Sequence, residues 1–385
     1  MRIVYVGAFR LPDLDAAAPR VLTIGKMLRD AGHEVCFMAW GGRLSDEYRD
    51  DDGIYRVDGF RFTISNELNV LSSAWGKLRQ WYTRGSESLR MLSRSISEFD
   101  AIIAYQPGYF FLRRLKRLCR RYNKKLIVDI TEWYDDKELH LLDRPLNYLN
   151  MTREIKNVDN KILISSHLDK YYSGSHNIVI PATTDISEKK CSKDAAKEFG
   201  RFDGITFIYA GTPSFKDKLF VAVNAINRLI GEDYPLRFFV FGVTKKDYMA
   251  NYPGKLSENI NFMGRVGQAD IPGFYRQSDF MILLRDRTRK NMMGFPTKFA
   301  EAVTAGIPVI SNDTSDITAY LNDGINGFVV DAPDEDSLYD LIRKIVRQDD
   351  PIFLKKLKTN ASARKTLLDY RNFTDRMSTF INTLT

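Results

Sequence analysis

The stretch Arg285-Asp-Arg-Thr-Arg-Lys-Asn-Met-Met-Gly294-Phe295-Pro296-Thr297-Lys298-Phe-Ala-Glu301 gathers cations, a glycine, a helix start and a carboxylate in one short run. It continues as Ala302-Val-Thr-Ala-Gly306-Ile-Pro308-Val-Ile-Ser-Asn312, so the pattern reads strand, loop, helix, strand. Pro296 suits the first helical turn, where its missing N–H has no partner to lose. The backbone N–H groups near Gly294 to Lys298 are then free, with the positive end of the helix dipole behind them, and that is chemistry for a diphosphate. Glu301 lies about a turn and a half further on, and helical side chains lean toward the N-terminus, so its carboxylate approaches the same ligand. A carboxylate only accepts hydrogen bonds, which matches a pair of ribose hydroxyls. On charge spacing alone the plainer reading comes first: Glu301 and Lys298 as surface charges on a solvated helix face.

The elements around this stretch follow a grammar that occurs twice: short apolar strand, polar or glycine-bearing turn, amphipathic helix. The first set has strands at Ile3 to Gly7, Glu34 to Ala39, Ala101 to Tyr105, Leu126 to Ile130 and Ile162 to Ser165, with helical patterns at Pro19 to Ala31 and Ser72 to Phe99. The second has strands at Ile205 to Tyr209, Arg237 to Phe241, Ile260 to Met263, Phe280 to Leu284, Pro308 to Ser311 and Gly327 to Val330. Such alternation requires parallel strands with crossover helices, because parallel neighbours need a long connection. Between the sets, from Ile180 to Phe202, periodicity lapses into a linker. Two domains are expected, residues 1–185 and 186–365, with a last helix over 366–385 that packs back on the first. Two doubly wound sheets with their strand ends facing would enclose a cleft.

Composition excludes several classes. With 385 residues, 44% hydrophobic and 28% charged, the chain has ample material for two packed cores. The start, Met-Arg-Ile-Val-Tyr-Val-Gly, reads as a first strand, and Arg10, Asp13 and Asp15 arrive too early for a signal-peptide core. No uncharged apolar run approaches the roughly 18 residues that span a bilayer. Cys36, Cys119 and Cys191 show no paired spacing and fit a reducing compartment. His33, His140, His167 and His176 have no ligand spacing, and no bound metal is expected. The net charge of +8 has one concentrated source: Arg113 to Lys125 holds eight basic residues and no acid. Phe111, Leu115, Leu118 and Tyr122 make an apolar stripe there and the basic residues fill the other face. That face suits either anionic lipid headgroups, extended by Trp75, Lys77, Leu78, Arg79, Trp81 and Arg84, or plain solvent.

Gly294-Phe-Pro-Thr-Lys-Phe-Ala-Glu301 and Gly306-Ile-Pro308-Val-Ile resemble the donor-binding signature of family 4 glycosyltransferases. Tyr209-Ala-Gly211-Thr212-Pro213-Ser-Phe-Lys216-Asp-Lys218 is similar to that family's first loop of the C-terminal domain, and Asn261-Phe-Met-Gly264-Arg265-Val266 to its base-contacting strand end. Asp316 to Gly327-Phe-Val is similar to its closing helix and strand, so the likeness keeps order and spacing through the C-terminal half and extends over nearly the whole chain. The resemblance implies the GT-B architecture, an α/β fold of two Rossmann-like domains facing across a cleft. It implies sugar transfer from a nucleoside diphosphate sugar with retention, as in bacterial surface-polysaccharide synthesis.

By the same resemblance Glu301 binds the ribose, and Arg265 and Val266 flank the base. Lys216, Lys218, Arg285 and the loop Gly294-Phe295-Pro296-Thr297 hold the diphosphate, and Gly211, Thr212 and Gly242 border it. Lys216 and Lys298 are the catalytic cations. On the acceptor side stand Gly7, Arg20, Asp129 and Glu132, from Gly7-Ala-Phe-Arg10 through Pro19-Arg20 and from Val128-Asp129-Ile-Thr-Glu132-Trp133. Asp129 and Glu132 read equally as loop caps. No Gly-x-Gly-x-x-Gly is present, which argues against a dinucleotide site.

Two departures stand out. The family often carries a second glutamate eight positions before the first, and Met293 occupies that place, leaving the sugar open. Thr212 stands where many members have arginine, which shifts phosphate charge onto Lys216, Lys218 and Arg285. No cofactor beyond the donor is expected, with UDP or GDP undecided. The partners expected are a nucleotide sugar, a glycan or lipid-linked acceptor and an anionic membrane surface, in a cytoplasmic protein or one peripheral on the membrane's inner face. A nucleotide-sugar epimerase of the same shape, needing no acceptor, is the alternative; a nucleic-acid module would rest on residues 113–125 alone.

Overall fold

The computed structural model describes residues 1–12, 14–42, 45–65, 82–139, 141, 143–192, 198–213, 216–348 and 350–384. The readings placed on Trp75, Lys77, Leu78, Arg79, Trp81 and His140 lie outside these residues. The chain divides into two compact units, Met1–Thr183 with Tyr370–Thr385, and Thr184–Asp369. Sequence had set the divisions at 185/186 and 365/366.

In the first unit, strands β1 (Arg2–Leu11), β2 (Glu34–Gly42), β3 (Arg56–Val57), β4 (Phe60–Ile64), β5 (Ala101–Tyr105), β6 (Lys125–Ile130), β7 (Asn160–Leu163) and β8 (His176–Val179) form one sheet, in the order β3-β4-β2-β1-β5-β6-β7-β8. Only the edge pair β3/β4 is antiparallel. Ile3, Val4 and Val6 of β1 and Ile102, Ile103 and Ala104 of β5 are buried, which explains why these strands read as continuous apolar runs rather than alternating ones. Strands β3, β4 and β8 add to the five read from sequence. They sit at the sheet's two edges, where short polar-flanked segments carry a weak pattern.

The terminal helix, read as Thr366 to Leu384, occupies Thr374–Asn382 after a short 3-10 turn at Tyr370–Phe373. It is fastened inside the first unit. His176 of β8 stacks on Phe380 at 4.6 Å and bonds Thr383 at 3.0 Å, while the Tyr370 hydroxyl donates to Asp30 at 2.9 Å.

The basic helix spans Tyr109–Arg121 and buries Phe111, Leu112, Leu115 and Cys119. The expected stripe through Leu118 and Tyr122 is therefore off by one position at its end. Tyr122 falls after the last helical residue and is 40% exposed. Arg113 and Lys116 meet Glu154 at 3.7 and 3.1 Å, and Arg114 donates to Ser86 at 2.6 Å. Arg117, Arg120, Arg121 and Lys125 are exposed.

One buried cation belongs to no motif. Lys161 of β7 is 0% exposed, donates to the Val158 carbonyl and lies 5.4 Å from the Tyr172 ring. Burial, opposed by Asp159, lowers its pKa from 10.5 to about 8. The depressed value means that below about pH 8 the folded state carries a charged, desolvated lysine, a cost that fades as pH rises from 8 toward 10.5. At about 1.4 kcal/mol per unit the cost is about 3 kcal/mol, against about 1 kcal/mol for the hydrogen bond. Lys161→Met should therefore raise the stability of the fold by about 1–2 kcal/mol at pH 7 and lose that advantage above pH 10, as read from urea melts at both pH values.

Among the described residues the second unit has six strands, all parallel: β9 (Ile205–Tyr209), β10 (Leu236–Phe241), β11 (Ile260–Gly264), β12 (Phe280–Leu283), β13 (Val309–Asn312) and β14 (Gly327–Val330), ordered β11-β10-β9-β12-β13-β14. Phe207, Phe238, Val240, Phe280, Ile282 and Ile310 fill its core. From the middle the order runs outward both ways, so the switch point lies between β9 and β12. In such sheets ligands settle beyond the carboxyl ends at that point.

Candidate active site of the second unit

The residues at that switch point form a charged cluster. Asp217, with 1% of its side chain exposed, is its centre: Arg285 donates from Nε to Oδ1 at 2.8 Å, the Tyr209 hydroxyl donates to Oδ2 at 2.8 Å, and the Lys298 ammonium donates to the same Oδ2. Lys298 also donates to the Tyr209 hydroxyl at 2.8 Å and to the Thr212 carbonyl at 3.3 Å.

Each member is set by the end of an element. Tyr209 ends β9 and Arg285 follows β12, where Asn312 at the end of β13 brackets its backbone, accepting from its N–H at 2.9 Å and donating to its carbonyl at 2.8 Å. Asp217 pairs with Arg285 in a short antiparallel bridge, and the Lys218 N–H donates to the Leu284 carbonyl at 2.8 Å. Gly211 (φ +131°) gives passage to the lysine, since a Cβ there would overlap Cε of Lys298. Gly242 (φ +94°) is needed for a different reason: a Cβ would run into the Gly211 backbone and lie 2.7 Å from the Thr212 nitrogen.

The electrostatics follow from the enclosure. Burial by itself would raise the Asp217 pKa, but Arg285 and Lys298, with the hydrogen bonds from Lys298 and Tyr209, outweigh it and bring the carboxyl to about 2. Burial lowers the Lys298 pKa, Asp217 opposes that, and the charges of Arg285 and Lys216 add to the lowering. Lys216 is half-buried beside this cluster. Lys218 makes an ion pair with Asp286 at 2.8 Å.

The expected helix covers Thr297–Ala305, so Pro296 is its N-cap rather than its first residue, and it offers no side-chain cap. The N–H groups of Phe299 and Ala300 return to the Pro296 carbonyl at 3.1 and 3.3 Å, and those of Thr297 and Lys298 have no hydrogen bond among the described residues. Gly294, Phe295 and Pro296 are buried, with the Gly294 carbonyl accepting from Ser315 and Phe295 packed on Phe299 and Tyr320. Glu301 is half-buried, three residues beyond Lys298 and so on the same side of the helix. Its charge reaches Tyr275, whose hydroxyl is raised well above the usual range, first by burial and then by Glu301.

Arg265, exposed, and Val266, half-buried, follow β11. With strands about 4.8 Å apart, β11 lies about 14 Å from β12, so a linear ligand along the strand ends would pass from Arg265 to Arg285. Met293 ends the short helix Arg289–Met293.

Asp217 was missed by sequence reasoning. An acid between two lysines reads as a neutralising surface charge, and its partners lie 68 and 81 residues away.

The acceptor-side residues have other occupations. Arg20 is 5% and Asp129 0% exposed; Arg20 grips both carboxylate oxygens at 2.6–3.1 Å and the carbonyls of Ile180 and Pro181 at 2.9 and 3.2 Å, while the Tyr5 hydroxyl donates to Asp129. No acceptor reaches Asp129 without parting this pair, which ties β6 to the helix Ala17–Asp30 and to the chain after β8. Gly7 is set by close approach, since a Cβ would lie 2.7 Å from the Tyr105 carbonyl oxygen. Glu132 is half-buried, with its backbone bonded to Gln106.

Residues 204–348 match the family model described as glycosyl transferases group 1. No curated protein sequence matches the chain. Among solved structures, sucrose-phosphate synthase from Thermosynechococcus elongatus superposes with a TM-score of 0.73 at 15% identity, covering 100% of this chain and 98% of that one. Anabaena HepE in complex with UDP and glucose gives 0.69 at 14% identity, covering 100% of both. WaaG, a glycosyltransferase involved in lipopolysaccharide biosynthesis, gives 0.67 at 11%, covering 99% and 100%. Two Rossmann-like parallel sheets in one chain, and these superpositions, make the fold GT-B. Residues 204–348, which include Asp217, Arg285 and Lys298, match glycosyl transferases group 1, and this chain is a glycosyltransferase.

Proposed function

We propose that the chain moves a sugar from a nucleoside diphosphate sugar to an acceptor hydroxyl with retention of configuration, in the manner of family 4, during assembly of a cell-surface glycan. One observation carries the reading: Arg285, Lys298 and Lys216 converge at the ends of β9 and β12 beside the unpaired N–H groups of Thr297 and Lys298. Negative charge grows on the departing diphosphate as the glycosidic bond breaks, and fixed cations with oriented N–H groups favour that state over the bound donor. No covalent nucleophile and no cofactor beyond the donor enters this scheme. Glu301 takes the ribose, Arg265 and Val266 flank the base, and Met293 gives the sugar pocket an apolar wall in place of a carboxylate.

UDP is the first nucleotide to test, since HepE was solved with it. A ligand at about 100 times its Kd adds about 2.7 kcal/mol of stability, so a panel of UDP- and GDP-sugars read by thermal melting should single out the donor. Product analysis with and without acceptor then follows. An altered sugar released without acceptor would replace transfer with epimerisation, and no stabilisation by any nucleotide would overturn the donor site.

The acceptor we propose is lipid-linked, reached at an anionic membrane face; WaaG acts in a lipopolysaccharide pathway. Among the described residues no helix is long and apolar enough to cross a membrane. Arg117, Arg120, Arg121 and Lys125 supply an exposed basic edge, each worth about 1 kcal/mol near an anionic surface. Changing all four to Gln should weaken sedimentation with anionic vesicles by about 100-fold or more while leaving neutral vesicles unaffected. Unchanged binding would remove this surface from the proposal.

A further inference from the structure

A carboxylate inside an anion site repels the ligand that the site exists to hold. Asp217 is such a carboxylate, enclosed, ionised and set among the cations. Its two oxygens are divided between Arg285, from the end of β12, and Lys298, from the start of the helix Thr297–Ala305. Its own backbone is strapped to Arg285 by the antiparallel bridge, so it is part of the frame rather than of a loose loop.

We infer that Asp217 is a positioning residue, which holds Arg285 and Lys298 in one arrangement so that both cations meet the diphosphate together. The inference rests on the donor-site reading above. Without Asp217, Arg285 and Lys298 would face each other as two enclosed like charges, with Lys216 adding a third nearby. The lysine would swing away or lose its proton, because the hydroxyl of Tyr209 and the carbonyl of Thr212 are its only other acceptors among the described residues. With Asp217 the trio of Asp217, Arg285 and Lys298 keeps one net positive charge and a fixed geometry.

Dilution of charge and positioning of charge predict opposite signs. If Asp217 only dilutes the positive potential, Asp217→Asn binds UDP more tightly and turns over as fast as the parent or faster. If it positions, Asp217→Asn loses about 10- to 100-fold in kcat at saturating donor, by analogy with the loss when a residue that orients a metal ligand is removed. The alkaline limb of its pH–rate profile also moves to lower pH, because Lys298 has lost the anion that keeps it protonated. Asp217→Glu should restore part of the rate, and on a Lys298→Met background the further loss from Asp217→Asn should shrink to the share carried by Arg285, which still bonds Asp217 there.

Thermal melts come first. If Asp217→Asn does not fold, Asp217→Glu and its pH profile carry the test. Calorimetry of the parent with UDP and GDP separates the two failures: no binding by the parent overturns the donor site, whereas normal binding with unchanged kcat and pH profile in Asp217→Asn overturns the positioning role alone.

Discussion

Replacing Lys298 by methionine should lower kcat by about 100- to 1,000-fold, the loss seen when one preorganised donor to a developing negative charge is removed. Methionine keeps the length of the stem that passes Gly211, so the cavity cost is small. The loss should fall mainly on turnover, because the charge that Lys298 meets is larger in the transition state than in the bound donor. The pH profile of the parent carries a second signature. Burial, with Arg285 and Lys216, holds the Lys298 pKa below the ordinary lysine value, and the protonated form is the useful one. Activity should therefore be full below that lowered value and decline as pH rises through it, with the limb absent from Lys298→Met. Saturating kinetics across pH check both points; a variant that turns over like the parent would place Lys298 outside the chemistry.

Sequence showed the frame of this cluster and half of its members. Strands buried on both faces, such as β9 and β12, announce themselves as apolar runs, and the Gly294 to Glu301 loop announces a helix start. What stayed hidden was partnership. Asp217 reaches its cations across 68 and 81 residues, and Arg20 reaches Asp129 across 109, and no periodicity encodes such distances. Hence Arg20 and Asp129 looked like two polar residues at strand and helix ends available to an acceptor, when each satisfies the other in a buried pair. Edge strands β3, β4 and β8 escaped for the opposite reason: they are short and half-solvated, and their residues resemble loops.

Glu301→Gln should weaken binding of the nucleoside diphosphate by about 10- to 100-fold, because the change removes a charge at constant shape from bonds to two hydroxyls, typically worth about 1.5–3 kcal/mol. The structure adds a way to tell this role from that of Lys298. Both residues lie on one side of the same helix, but Glu301 is a turn further from the N–H groups of Thr297 and Lys298, which the proposed function assigns to phosphate. A ribose contact is present whether or not phosphate is attached, so Glu301→Gln should lose the same factor on uridine as on UDP. Lys298→Met should lose affinity for UDP and none for uridine. The charge of the carboxylate also reaches the buried Tyr275 hydroxyl, so a purely structural Glu301 would reveal itself as a fall in melting temperature with nucleoside affinity unchanged. Calorimetry with uridine and UDP on the parent and both variants decides the matter. If Glu301→Gln binds uridine like the parent, the carboxylate does not touch the ribose, and its place on the helix serves packing around Tyr275 instead.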